Sequence, residues 1–132
     1  MSKDLLRLYD DDGRLHCDDG PAITNGKDTE RWYQHGKIHR PQEDGPAIIT
    51  PWHRKYFFHG QRHRTDGPAC IDFFYGTSTK TEKGYEVYSW YLYDERVTWQ
   101  DVAKWNWERG FTEIAKQIVI ENINLVDNVR YL

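Results

Sequence analysis

Three segments of this chain are copies of one another, and no other property limits its possible folds so strongly. LYDDDGRLHCDDGPAIT (8–24), RWYQHGKIHRPQEDGPAIIT (31–50) and KYFFHGQRHRTDGPACI (55–71) share a pattern. An aromatic residue leads to G-x-x-H, then to D-G-P-A and an apolar pair. Gly13, Gly36 and Gly60 fall 23 and 24 residues apart, and a degraded fourth copy, SWYLYDERVTW (89–99), puts Asp94 in the glycine position with no histidine after it. A unit this short cannot enclose a core alone, so the copies must stack and bury surface against their neighbours.

The punctuation of each copy predicts its local structure. The pairs Asp12-Gly13, His35-Gly36 and His59-Gly60 suit tight turns with positive φ. Asp-Gly-Pro at 19–21, 44–46 and 66–68 marks a second turn, where Asp can hold the local backbone and Pro donates nothing to a ladder. TNGKDTE and TPWHRK join successive strands, and GTSTKTEKG is the expected tip of a longer hairpin, accounting for the 34 residues between Gly60 and Asp94. Aligned on the turn, Tyr9, Trp32, Tyr56 and Trp90 form one column, and Asp10, Tyr33, Phe57 and Tyr91 the next. Neighbouring residues of a strand face opposite sides, so each face would carry an aromatic ladder, with the first rung missing on one. A single sheet cannot bury both ladders against itself.

The C-terminal third supplies a cover. Thr98 followed by Asp101 resembles a capping box, WQDVAKWNWERG reads as a helix closed by Gly110, and Val102 and Trp105 share a face with Trp99 one turn earlier. TEIAKQIVIENI, with Thr112 as N-cap and Ile114, Ile118 and Ile123 in line, reads as a second helix, although IVIENINLV also suits a strand. The expectation is a mainly β chain: a repetitive antiparallel hairpin sheet over residues 1–98 and a helical C-terminal cap over 99–132, in one domain.

In residues such as WYQHGKIHR, EDGPAI and FFHGQRHRTDGPA, the chain resembles a hairpin-repeat family of tailed bacteriophages and some bacteria, whose units run close to W-Y-x-N-G-K-x-H-R-E-D-G-P-A, in the style of MORN repeats. The resemblance spans roughly residues 8–99. Cys17 departs from it in copy one, Pro41-Gln42 is an insertion in copy two, and copy four lacks the histidine and D-G-P-A. It implies a repetitive antiparallel sheet and phage origin, and it brings no catalytic residues.

Charge and composition narrow the function classes. Residues 31–64 carry seven basic and two acidic side chains and five of the six histidines, and both flanking segments are acidic. Cys17 and Cys70 make no disulfide framework and no metal-ligand pattern, which suits a reduced cytoplasmic setting; no signal or membrane-spanning segment is expected. His16, His39 and His63 recur at one repeat position and are spread along the array, so structural bonding to the D-G-P loop of the same or the next copy is expected rather than metal ligation. Asp19, Asp44 and Asp66 read as loop caps, and no nucleophile elbow or phosphate loop is present, so neither catalysis nor a cofactor is expected.

The sharpest candidate surface is the basic island. Arg31, Lys37, Arg40, Arg54, Lys55, Arg62 and Arg64 interleave with Trp32, Tyr33, Trp52, Tyr56, Phe57 and Phe58, a mixture that could serve stacking and phosphate contact. A dense acidic run, Asp10, Asp11, Asp12, Asp18 and Asp19, could instead imitate phosphates in front of a host enzyme. The leading expectation is a non-catalytic binding protein contacting a host protein through its repeat sheet, with an anti-defence inhibitor as one form. The alternative is a binder of nucleotide or single-stranded nucleic acid at the middle third. An open sheet edge is also compatible with a homodimer.

Overall fold

The computed structural model describes residues 5–75 and 84–132 and divides the chain into two compact parts, one ending at Gln61 and the other starting at Arg62. It is mainly β, with antiparallel pairing and two helices near the C-terminus. The expected hairpin tip at 76–83 lies outside the described residues.

In the first part, strands β1 (Leu6–Arg7), β2 (Ile23–Thr24), β3 (Glu30–Arg31), β4 (Tyr33–Gln34), β5 (Lys37–Ile38), β6 (Ile48–Ile49), β7 (His53–Lys55) and β8 (Phe57–Phe58) are short, and β9 (Gln61–Arg62) straddles the boundary. The main sheet runs β1-β2-β3-β6-β7, and β4-β5 forms a separate hairpin. The chain passes from one to the other at Trp32, whose N–H donates to the Ala47 carbonyl at 2.8 Å while its carbonyl accepts from His39 at 3.0 Å. Leu8 does the same between Ala22 and His16. The connecting turns behave as composition dictates: Asn25 Oδ1 accepts from the backbone of Lys27, Asp28 and Thr29, and Thr50 Oγ1 accepts from that of Trp52 and His53.

These bonds correct the expected columns. Tyr9 bridges Leu15 as Tyr33 pairs with Ile38, because the first tip holds three residues, Asp11 to Gly13, where the second holds only His35 and Gly36. Leu8 therefore matches Trp32, Tyr56 and Trp90, and Tyr9 matches Tyr33, Phe57 and Tyr91. The aromatic ladder that seemed to lack its first rung has it in Tyr9. The two-residue tips hold both members at positive φ: His35 and Gly36, His59 and Gly60, Tyr93 and Asp94.

The D-G-P-A element closes around its alanine. Ala22, Ala47 and Ala69 are completely buried. In the second and third copies, Arg40 donates to the Pro46 carbonyl and Arg64 to the Pro68 carbonyl, each at 3.1 Å. A Cβ on Gly67 would lie 2.7 Å from the Arg64 guanidinium carbon, so any side chain there would push Arg64 out of its present position. Arg64 Nε also donates to Asp66 at 2.7 Å, so this aspartate anchors an arginine where a backbone cap was expected.

In the second part, β11 (Tyr85–Leu92) pairs with β10 (Cys70–Phe74) and β12 (Glu95–Val97). Helix α1 (Trp99–Glu108) starts at Thr98 with the expected capping box and ends before Gly110, whose φ is +82°. Helix α2 (Thr112–Asn122) follows, with Thr112 as its first helical residue rather than its N-cap; Phe111 holds that position without a side-chain bond. Trp90, Val102, Ala103 and Ile118 form the core, with Leu92, Val97, Trp99 and Val119 packed against it. The helices thus cover the face of β11 that carries Trp90. Of the expected stripe on α2, only Ile118 is buried, because Ile114 and Ile123 point outward. A final strand, β13 (Val129–Tyr131), pairs with Tyr85–Val87 after a turn with Asp127 and Asn128 at positive φ. A helical cap over 99–132 was expected, with a strand considered only for IVIENINLV; that stretch is helical to Asn122, and the strand lies beyond it.

Candidate functional site

The recurrent histidine joins each hairpin to the next. His16 Nδ1 accepts the His35 backbone N–H at 3.0 Å, His39 accepts that of His59 at 2.9 Å, and His63 accepts that of Tyr93 at 2.9 Å. Each ring also stacks on the residue it bonds, with centroids 4.1, 4.2 and 4.0 Å apart. Flanking backbone bonds repeat as well: Gly36 to Leu15, Gly60 to Ile38 and Asp94 to Arg62. The imidazole stands where a ladder carbonyl would otherwise sit, and accepting at Nδ1 leaves the ring proton on Nε2. Burial pushes the pKa of both His39 and His63 down, and the neighbouring His59 adds to the effect at His39. Bonding to the D-G-P loop of the same or the next copy was expected; the bond instead goes to the hairpin tip of the next copy, whose backbone N–H points at Nδ1. Among the described residues, no three His, Cys, Asp or Glu side chains are grouped to hold a metal ion.

The acidic run is also engaged internally. Asp10 Oδ1 accepts from the backbone of Asp12 and Arg14, while Oδ2 accepts from Arg14 Nε at 3.1 Å and His35 Nδ1 at 2.8 Å. These bonds, His35 foremost, hold its carboxyl far below the ordinary range. Asp12 meets Arg14, Asp18 meets His16, and Asp19 accepts from the Cys17 thiol. Asp10 is enclosed by these bonds, whereas the paired carboxylates of Asp12 and Asp18 still face solvent, with side chains 77% and 87% exposed.

The basic island is divided in the same way. Arg40 lies 3.8 Å over the Trp32 ring while bonding Pro46, and the Trp32 indole N–H donates to Glu30. In the second part, Arg62 donates to Asp94 at 2.7 Å and covers Tyr91 at 4.2 Å, and Arg64 is held by Asp66 and Pro68. Arg31 and Lys55 flank Ile48 in one cross-strand row, whereas Arg54 sits beside Ile49 in the neighbouring row, on the opposite face. Tyr33, Tyr56 and Phe57 are half-buried, and Trp52 is exposed at the β6–β7 turn. Of the expected basic-aromatic surface, only Trp32 and Lys37 line the groove of about 650 Å³ in the first part, beside Arg14, His35, His39 and His59 and the carboxylates of Asp18 and Asp44. Its charge is mixed, unlike that of a phosphate track.

A second concavity carries residues that sequence reasoning did not select. Between α1 and α2 lies an apolar furrow of about 500 Å³, lined by Ala103, Lys104, Trp107, Ala115, Lys116, Val119 and Ile120. Trp107 is 57% exposed and Ile120 68%, with Phe111 and Ile123 also open to solvent. The signal was present in WNWE: tryptophans two positions apart on a helix face nearly opposite ways, so Trp105 and Trp107 cannot both be covered by one sheet. Arg109 stacks over Trp105 at 3.9 Å, and Trp107 projects at the furrow. No described helix is long and apolar enough to cross a membrane. Comparison of the chain with models of protein families, with curated proteins and with solved structures returned no match.

Proposed function

We propose that this chain is a non-catalytic binding protein whose target is another protein. The resemblance to the phage hairpin-repeat family extends the proposal: a MORN-like array encoded by a phage, acting in the cytoplasm of the infected bacterium on a host protein, with inhibition of a defence function as one outcome. The observation that carries the protein-binding reading is the exposure of Trp107 and Ile120 at the apolar furrow between the two helices. Contiguous apolar surface with a polar surround is the usual mark of a protein contact. The competing reading, a nucleotide or single-stranded nucleic-acid site, needs cations available for phosphate. Arg40, Arg62 and Arg64 already have intramolecular partners.

The test is capture from bacterial lysate with the full chain, with and without nuclease. A stoichiometric protein partner that survives nuclease supports the proposal. Co-purified nucleotide or oligonucleotide, seen as raised absorbance at about 260 nm, with no protein partner would replace it with the second reading.

A further inference from the structure

We infer that the furrow between α1 and α2 is the seat of an acidic amphipathic helix of the partner; this rests on the protein-binding reading above. The floor is made of two alanines, Ala103 and Ala115, 7% and 4% exposed. Small residues at both positions let a third backbone approach closely, so the helix pair is two-thirds of a three-helix packing unit. Trp107 and Ile120 stand exposed at the furrow, offering apolar surface to anchors spaced i, i+3 or i+4, and i+7 on an incoming helix.

The charge at the furrow selects the partner's flanks. The charged residues lining it are Lys104 and Lys116, both exposed, and Lys116 is engaged only by a loose 3.4 Å contact with Glu113 among the described residues. Glu or Asp on either side of the apolar stripe would meet these ammonium groups, whereas a basic amphipathic helix would be repelled. A second copy of this chain is a poorer occupant, since it would bring the same two lysines to the contact.

The experiment uses the intact chain and two fluorescein-labelled synthetic helical peptides. They share one leucine stripe and carry either glutamates or lysines on its flanks. The acidic peptide is expected to bind saturably, about tenfold tighter than the basic one. Ile120→Asp and Trp107→Ala should each weaken it about tenfold or more. The double variant Lys104→Glu with Lys116→Glu should reverse the preference, a gain that damaged folding would not produce. All these positions are exposed, so thermal melts should match the parent. Equal binding of both peptides, no saturation with the acidic one, or indifference to Ile120→Asp would overturn the inference. So would self-association that Ile120→Asp abolishes. If the lysate partner is captured undiminished by Ile120→Asp, protein binding stands and the furrow assignment fails; if the parent chain captures no protein, the broader reading fails.

Discussion

Replacing His63 by Phe separates the two things its ring does. The ring is 8% exposed, stacks on Tyr93 at 4.0 Å and accepts the Tyr93 N–H at 2.9 Å. Phe retains an aromatic face and removes the acceptor, leaving a half-buried N–H unsatisfied. The cost of such an orphaned donor is about 1–3 kcal/mol, a fall in melting temperature of roughly 4–10 °C for a chain of this size. His63→Ala loses the stack as well and should fall by a further ~0.5–1.5 kcal/mol. The pH dependence follows from the same bond. Protonation puts hydrogen on Nδ1 and turns acceptor into donor, and burial has lowered the folded-state pKa. The unfolded chain therefore binds the proton more readily, so stability is complete above the unfolded value of about 6.5 and is lost as pH falls from there towards the folded value. His39 adds a contribution of the same sign. Chemical denaturation followed by tryptophan fluorescence between about pH 7.5 and 5 measures both effects. A parent stability that is flat over this range, or a His63→Phe variant with unchanged stability and unchanged pH slope, would refute the assignment of the imidazole as a ladder acceptor.

Three further outcomes follow from the geometry. Gly67→Ala should displace Arg64 from Asp66 and Pro68 and cost about 1–3 kcal/mol, whereas Gly20→Ala, whose Cβ would meet only the Cys17 sulfur at 3.7 Å, should change stability by less than about 0.5 kcal/mol. Ala69→Leu at a fully buried site should cost about 1–3 kcal/mol by overpacking, read as a drop in the denaturation midpoint at constant slope. Asp10→Asn should lower the melting temperature at neutral pH. Because the Asp10 carboxyl is held below its ordinary range, the parent should lose this stabilisation only in acid, as pH falls below about 4, while the variant shows less loss there.

Much of the fold is legible in the residues themselves. Positive φ at His35-Gly36 and His59-Gly60, the capping box at Thr98 and the Asn25 and Thr50 turns are decided within a few residues, by sterics and local hydrogen bonds. The repeat pointed to a structural role for His16, His39 and His63, but not to its target, the tip N–H of the next hairpin. The offset at Tyr9 was not, because alignment on Gly13 counts residues and cannot see that the first tip is one residue longer. Nor could charge counting separate Arg40, Arg62 and Arg64 from Arg31 and Lys55. All five are cations in one stretch, but three are spent on carbonyls, carboxylates and rings.

What the sequence by itself determined is the module: a hairpin with a glycine tip, a histidine, a D-G-P-A loop and an aromatic pair, specified by short-range sterics and period. What only the tertiary structure decided is which groups remain available once the modules pack. Ala22, Ala47 and Ala69 are completely buried, Asp10 is surrounded by donors, and Trp90 is covered by helices while Trp107 is left uncovered. The physical reason is that burial and hydrogen-bond satisfaction depend on neighbours distant in the chain, whereas a turn depends on its own few residues.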